Sequence, residues 1–475
     1  MAAISGHQTG GPLLGAFANQ QDGTDLQLIM LRKLWIPTSN AQLLQAQERL
    51  LAYHNLTPLY QRKRIDLPST LTKTFCGTEK TQTMNAIEFR GTKMEDTNTP
   101  PSTCLVAHGL GSGLALFHPN LRYLAQRFDR VIAVDWMGFG ASSRPPWEAT
   151  PDTKTSSESA DFFVESLKEF VAQTQLADNG QPFTFIGHSL GGLLATEYAM
   201  KYPEDVQRLY LISPAGLPAP PPSATSVAHA DTSSTALKVL DFGWQNNVTP
   251  SSVVRLLGPK GPEKVQEILR RRFRNRWNDQ ETQLLADYLY HLQAAEPSGE
   301  YAMNGLLTPM TSEGKVGLFA RRPLVDRMAE HLPARLKVHV VYGDNDWLHS
   351  SPGCEDAVAL LQSQGVDITM SIMEGAGHHV YLDNAHGLHA SIEKFCRVQE
   401  DDQFANARLN HKQVRVRGRR VTATPSNFIR ANRTLWKEYL TRKGILHEGM
   451  DPKRHSREDR LEFYKEMTGK SYSYS

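Results

Sequence analysis

The sequence predicts an α/β protein in which a mostly parallel sheet is flanked by helices and a helical cap interrupts the chain. Three observations carry that expectation. Short apolar strands alternate with amphipathic helical stretches over residues 101–213 and again over 336–399, the pattern of parallel strands joined by crossover helices. Phe183-Thr-Phe-Ile-Gly-His-Ser-Leu-Gly-Gly192 passes from strand character through a glycine-flanked serine into a helical run. Between the two alternating stretches, residues 214–335 hold a Pro/Ser/Ala/Thr linker and then helical periodicity.

A Gly-x-Ser-x-Gly turn between strand and helix holds its serine in a strained conformation above the sheet edge, with small neighbours because larger ones collide. Ser189 is therefore the candidate nucleophile. A serine hydroxyl is weak near neutral pH and needs a histidine base, an acid to orient that base, and donors for the oxyanion. Val338-His-Val-Val-Tyr342 reads as a buried strand ending in Gly343-Asp-Asn-Asp-Trp347, which presents Asp346 at its carboxyl end. Ile368–Met373 is the next strand and ends in Glu374-Gly-Ala-Gly-His378. Upstream, Cys104–Ala107 runs into His108-Gly-Leu-Gly111, a loop whose amide near Leu110 completes an oxyanion hole with that of Leu190. The cap falls between nucleophile and acid, where a lid would select substrates. Chemistry of this kind calls for no cofactor and no metal.

Composition describes an ordinary soluble globular protein, 40% hydrophobic and 21% charged over 475 residues. No apolar run reaches the roughly 20 residues of a membrane span. Cys76, Cys104, Cys354 and Cys396 lack the close spacing of a zinc or redox motif, as expected of a reduced intracellular protein. The first 21 residues contain no charged side chain and so lack the marks of a usual secretory or mitochondrial leader. Residues 401–475 hold 17 Lys+Arg against 9 Asp+Glu, whereas residues 1–400 hold 35 against 41. A basic tail follows a mildly acidic body, which suits an anionic membrane surface. Charge alone supports no nucleic-acid role.

In chain order, residues 1–25 are expected to be disordered, and 26–100 to hold an N-terminal helix and lead-in strands. Ser39 or Asn40 can cap that helix, and Leu43, Leu44, Ala46, Leu50 and Leu51 give it one apolar face that either lies on lipid or, the preferred reading, packs on its own domain. The first part of the core, 101–213, includes Asp135, an alternative triad acid by residue type, which precedes the serine in the chain and is therefore read as structural. In the cap, 214–335, Arg270, Arg271, Arg272, Arg274 and Arg276 are interleaved with Phe273 and Trp277. Guanidinium forks beside aromatics suit a phosphate head group, or else a solvated helix face. Arg321 and Arg322 form a second cationic pair. The second part of the core, 336–399, holds His378 and Asp383 as a His-x4-Asp pair, and Asp383 reads as the N-cap of a helix over 384–395. Residues 400–475 read as a partly helical basic extension.

The whole resembles the α/β-hydrolase domain proteins 4 and 5 and their relatives, the mitochondrial cardiolipin deacylases and plant-type lysophosphatidic acid acyltransferases. The resemblance spans about Trp35 to Cys396. It rests on Leu34-Trp-Ile-Pro-Thr-Ser39, His108-Gly-Leu-Gly111, Val134-Asp-Trp-Met-Gly-Phe-Gly-Ala-Ser-Ser-Arg-Pro145, Gly187-His-Ser-Leu-Gly-Gly192, Pro297-Ser-Gly-Glu300, Ala320-Arg-Arg-Pro323 and Gly377-His-His-Val-Tyr381. It implies an α/β-hydrolase fold and a serine hydrolase acting on glycerophospholipid or lysophospholipid esters at a peripheral membrane or lipid surface. It also implies two alternatives: a CoA-dependent lysophosphatidic acid acyltransferase using His378 and Asp383, and a non-catalytic protein that activates a lipase or docks a lipid-droplet partner. The family's coactivator lacks the nucleophile that Ser189 supplies here, which favours an enzyme. Its tryptophan-rich amino end is matched only by Trp35. Mitochondrion, cytosol and lipid droplet all remain open as compartments.

Overall fold

The computed structural model describes residues 38–76, 80–91, 102–147, 156–177, 181–227, 235–274, 276–312, 315–349 and 353–396, with 413–416, 419–422, 436 and 440. The expectations for residues 1–25, for Leu26–Trp35 and for most of the basic tail lie outside the described residues. Two units are distinguished, 1–389 and 390–475. In the second, Gln413–Val416 pairs antiparallel with Arg419–Thr422, so the described part of the tail includes a hairpin as well as helical positions at Trp436 and Leu440.

Among the described residues, the first unit is built on eleven strands: β1 (Tyr60–Leu67), β2 (Gln82–Arg90), β3 (Thr103–Ala107), β4 (Arg130–Val134), β5 (Phe183–His188), β6 (Val206–Ile212), β7 (Thr225–Ser226), β8 (Leu307–Ser312), β9 (Lys315–Ala320), β10 (Lys337–Gly343) and β11 (Ile368–Met373). Eight form one sheet in the order β1-β2-β4-β3-β5-β6-β10-β11. Pairing is antiparallel for β1 with β2 and for β2 with β4, and parallel from β4 to β11. The parallel strands are near-continuous apolar runs because helices cover both faces. Leu105, Ile132, Phe185, Leu209, Leu211, Val338 and Val340 are all within 1% of complete burial.

Nine helices matter for the site: α1 (Asn40–Tyr53), α2 (Ser69–Cys76), α3 (His118–Arg127), α4 (Ser156–Gln173), α5 (Leu190–Lys201), α6 (Thr235–Gln245), α7 (Pro250–Leu256), α8 (Gly261–Arg272) and α9 (Asp279–Ala294). Ser39 caps α1 by accepting the Gln42 N–H. Leu43, Ala46, Leu50 and Leu51 are buried, while Leu44 is half-buried at the edge of the face. The helix is held to α9 by the Arg49–Asp287 ion pair at 2.9 Å and the Asn278–Tyr53 hydrogen bond at 2.8 Å. It therefore packs on its own domain, as its stripe predicts.

The cap departs from its expected form in two ways. It is not wholly helical, since β8 and β9 form an antiparallel hairpin joined at one edge by β7. Pro309 hid β8 in the sequence, because proline is ordinarily excluded from strands. Here it sits beyond the two residues paired by β7, where that side of β8 is an edge. The linker also buries surface: Ala215 is 2% exposed and Leu217 is fully buried, continuing the core beyond β6. Residues 228–234 lie outside the described residues.

Candidate active site

Ser189 follows β5 directly and starts α5 as its N-cap, at φ 54° and ψ −120°. A positive φ on a non-glycine residue costs of order 1–3 kcal/mol and persists only where the surroundings enforce it. They do so by closeness. A Cβ on Gly187 would lie 2.5 Å from the Gly191 carbonyl oxygen, and one on Gly191 would lie 2.3 Å from that of His108. The strand, turn and helix meet too tightly for any side chain at those two positions.

The fold brings the three candidate residues together from the ends of β5, β10 and β11. His378 Nε2 lies 3.0 Å from Ser189 Oγ, and His378 Nδ1 lies 3.0 Å from Asp346 Oδ1. Asp346 is fully buried, and its Oδ1 also accepts the Leu348 N–H at 2.9 Å. Burial pushes this carboxyl up, but the His378 bond, the His378 charge and the Leu348 amide outweigh it and hold the group below the usual carboxylate range. An ionised acid fixes the imidazole with Nδ1 protonated, leaving the Nε2 lone pair toward the serine. That arrangement can accept the hydroxyl proton as an oxygen nucleophile attacks.

The glycine loop lies against the nucleophile, since a Cβ on Gly109 would come within 2.9 Å of Ser189 Cβ. Leu110 and Leu190 both line the cavity at Ser189. Several buried groups hold the loop. His108 Nδ1 donates to the Gly109 carbonyl at 2.8 Å while its Nε2 accepts the Trp136 N–H at 3.2 Å. Asp135 accepts from the Leu114 and Ala141 amides and from Asn85 Nδ2, all within 2.9 Å. The alternative acid is thus fully occupied in holding loops, the structural role its early position in the chain suggested. From the cap, Gln293 of α9 donates to the Gly111 carbonyl.

Two features were not read from the sequence. His188, the variable residue before the serine, is buried, and its Nε2 donates to the His378 carbonyl at 3.0 Å, so it anchors the loop that carries the base. Burial, then the charges of His378 and His379, drive its pKa well below the ordinary value, which keeps the ring neutral. Trp347 lies with its ring 5.2 Å from that of His378 and forms part of the cavity wall. The Gly-x-Ser-x-Gly spacing places His188 beside the nucleophile but gives no sign of which way its side chain turns.

Asp383 differs from expectation. The helix over 385–396 is capped by Asn384, whose Oδ1 accepts the Gly387 N–H at 2.9 Å. Asp383 instead accepts the Gly377 N–H at 3.0 Å and pairs with Arg272 at 3.0 Å and Arg276 at 3.3 Å. A carboxylate offered two guanidinium groups and a backbone amide gains more than from one helix terminus. The result ties the cap to the turn before His378.

None of the seven candidate head-group arginines lines the cavity at Ser189, which is formed by Leu110, Ala215, Met303, Leu307, Leu318 and their neighbours and has a volume of about 160 Å³. Arg270, Arg271 and Arg274 line a separate surface groove of about 770 Å³, with Phe273 and Trp277 stacked face to face at 4.1 Å. Arg271 is paired with Glu267. Arg321 donates to the Asn304 carbonyl at 2.7 Å. Arg322 is half-buried.

The sequence profile of the alpha/beta hydrolase fold family matches residues 104–385. A 1-acylglycerol-3-phosphate O-acyltransferase from Arabidopsis thaliana is 30% identical over 397 residues, covering 82% of this chain and 86% of the relative. A (lyso)-N-acylphosphatidylethanolamine lipase from Bos taurus is 34% identical over 297 residues, covering 62% of this chain and 78% of the relative. Among solved structures, a carboxylesterase from Bacillus subtilis is 15% identical with a TM-score of 0.45, covering 75% of this chain and 98% of that one. No described helix is long and apolar enough to cross a membrane. With the strand order, the site geometry and a profile match over more than half its length, this chain belongs to the alpha/beta hydrolase fold family, in the branch of these lipases and acyltransferases.

Proposed function

We propose that the protein is a serine lipid hydrolase that cleaves acyl esters of glycerophospholipids or lysophospholipids through an acyl-enzyme. The observation that carries this reading is the Ser189–His378–Asp346 relay, with both bonds at 3.0 Å. His378 Nε2 takes the proton as Ser189 Oγ attacks the ester carbonyl. The amides of Leu110 and Leu190 then hold the oxyanion. Collapse breaks the ester C–O bond, His378 returns the proton to the departing glycerol oxygen, and an acyl group remains on Ser189. Water attacks the acyl carbonyl in the second half, giving its proton to His378; the acyl C–Oγ bond then breaks, His378 returns the proton to Ser189 Oγ, and the fatty acid leaves.

The cavity supports an acyl substrate, because its lining outside the relay is mainly Leu, Met, Ala and Trp. At about 160 Å³ it is smaller than the roughly 300–1,000 Å³ of sites that enclose whole ligands. It admits the ester and the start of one chain, while the remainder of the lipid stays outside or displaces the cap. Incubating the purified protein with a mixed phospholipid extract tests this. Free fatty acid and lysolipid should accumulate without acyl-CoA, and their absence with every lipid class would sink the hydrolase reading.

Acyl transfer to a lysophospholipid hydroxyl is the second reading, favoured by the name of the Arabidopsis relative. A centre built on His378 and Asp383 alone is disfavoured, because Ser189 and Asp346 engage both ring nitrogens of His378. Asp383 is engaged by Gly377 and the two arginines. Substituting Asp383→Asn should therefore weaken the cap and lower lipid turnover by about 3- to 10-fold, as one exposed-side ion-pair site is worth about 1 kcal/mol. A drop of 1,000-fold confined to acyl-CoA-dependent synthesis would instead give Asp383 the catalytic role. A non-catalytic lipase activator is a third reading, disfavoured by the intact relay.

A lipid surface as partner is supported by the cap. Val239 and Phe242 on α6, Val253 and Leu256 on α7, and Ile268 on α8 are each more than half exposed. Arg270, Arg271 and Arg274 are exposed at the end of α8 and just beyond it. Large apolar side chains at this density on a water-facing element mark an interaction surface. The double substitution Phe242→Ser with Leu256→Ser should reduce co-sedimentation with anionic phospholipid vesicles about 10- to 100-fold, the effect of losing two partly buried apolar groups. Hydrolysis of a soluble short-chain ester should not change. Undiminished vesicle binding would exclude this face.

A further inference from the structure

We propose that His54, His118 and Glu281 form a binding site for a divalent transition-metal cation of the zinc type, which clips the cap to the core. The three residues are far apart in the sequence, which therefore carries no metal-binding spacing. Folding brings them together: His54 directly follows α1, His118 opens α3, and Glu281 lies in the first turn of α9. One donor atom from each, all three within 4.8 Å of one another, makes a compact set.

The Nε2 atoms are not engaged elsewhere. His54 Nε2 and His118 Nε2 are both enclosed and make no hydrogen bond among the described residues. His118 is 2% exposed, and its Nδ1 lies 3.0 Å from the Ala115 carbonyl oxygen, which can only accept. Nδ1 therefore carries a proton, and Nε2 presents its lone pair toward Glu281. His54 Nε2 lies 3.3 Å from Glu281 Oε1 and His118 Nε2 lies 3.8 Å from the same oxygen. At His118 a buried lone pair faces a carboxylate oxygen without a donor between them, which calls for an explanation. One cation among them satisfies all three.

Distance and donor type fit. Tetrahedral zinc with bonds of roughly 2.0–2.2 Å holds its ligand atoms about 3.4 Å apart; the two separations to Glu281 Oε1, 3.3 and 3.8 Å, bracket that value, and all three donor atoms lie within 4.8 Å of one another. Two imidazoles and one carboxylate suit zinc and its neighbours, whereas magnesium and calcium prefer all-oxygen sets. The Ala115 carbonyl behind His118 Nδ1 is the usual outer partner of a ligating histidine, setting its tautomer and orientation. Three protein ligands leave a fourth position for water.

The consequence reaches the catalytic loop through packing. Phe117, next to His118, stacks on Tyr381 with centroids 4.4 Å apart. Asn120 of α3 donates to the Tyr381 carbonyl at 2.9 Å. Tyr381 lies three residues beyond His378, so a clip that steadies α3 also steadies the wall behind the base.

The test uses the purified full chain, stripped with a chelator and then equilibrated with buffered zinc. Wild type should retain about one zinc per chain and unfold at a higher temperature with zinc than without, since a ligand that binds only the folded state stabilises it. The cobalt-substituted protein should show the strong visible absorption of a four- or five-coordinate site. Glu281→Gln and His54→Gln should each weaken retention by more than about 100-fold, beyond the effect of losing an outer partner, and abolish the zinc-dependent shift. His54 is at the helix end and only partly buried, so its variant keeps the fold testable if Glu281→Gln does not. No stoichiometric zinc on wild type would overturn the proposal, as would equal retention by both variants, which would place the metal elsewhere among the 17 histidines.

Discussion

Replacing Ser189 with alanine should lower turnover on any ester substrate by about 10⁵- to 10⁶-fold while leaving the fold intact. The magnitude follows from the relay acting as a unit. Removing a serine nucleophile elsewhere costs about 10⁶ in kcat, and residual catalysis of about 10³–10⁴ over water survives from oxyanion binding and substrate positioning. The fold should persist because alanine at φ 54° bears the same backbone strain as serine, and only the bond to His378 Nε2 is lost. Thermal unfolding beside a fatty-acid release assay checks both halves. A folded variant that still releases fatty acid at more than about 1% of the wild-type rate would mean another nucleophile, and the proposed mechanism would fail.

That prediction was legible in the sequence because its causes are local. Two glycines around Ser189 are forced because a Cβ at either would lie 2.5 Å or 2.3 Å from a backbone carbonyl oxygen, so the turn cannot be written with other residues. Asp346 and His378 were legible because each closes an apolar strand, and parallel strands deliver their carboxyl ends to one edge. Less could be read where the outcome depends on distant partners. Asp383 looks like a helix cap from its neighbours alone. Only the fold brings Arg272 and Arg276 across from the cap, and Asn384 then takes the capping role. The same holds for the arginine cluster, whose residues share a short stretch but divide in space. Two are engaged by Asp383, and three line a groove away from the serine. The cap hairpin was obscured by one proline at a sheet edge. His188 and the histidine pair at 54 and 118 carry no local mark at all, because burial decides what each ring nitrogen meets.

Asp346→Asn should be the second most damaging single change, lowering kcat by about 10⁴-fold with little effect on substrate binding. The Leu348 N–H and His378 Nδ1 meet the same oxygen, Oδ1, so one end of the carboxamide must serve both. With its oxygen there the variant is only a neutral acceptor; with its NH₂ group there it faces Nδ1 as a donor and favours the tautomer in which Nδ1 accepts and Nε2 carries the proton. A protonated Nε2 cannot accept from Ser189 Oγ, so the serine keeps its hydrogen and the attack stalls even though each heavy atom is in place. The charge is lost as well, leaving the imidazolium of the transition state without its counter-ion. Stability supplies an independent check with a definite sign. Because the Asp346 carboxyl is held below the unfolded value of about 3.9, its contribution is present above that pH and fades as pH falls through the lower folded value. The asparagine variant has no such contribution to lose, so the stability difference between the two proteins should be full at about pH 6–7 and shrink below about pH 4. Equal acid sensitivity in both would mean that Asp346 is not the ionised partner of His378, and a variant with near-normal kcat would shift the orienting role to another group.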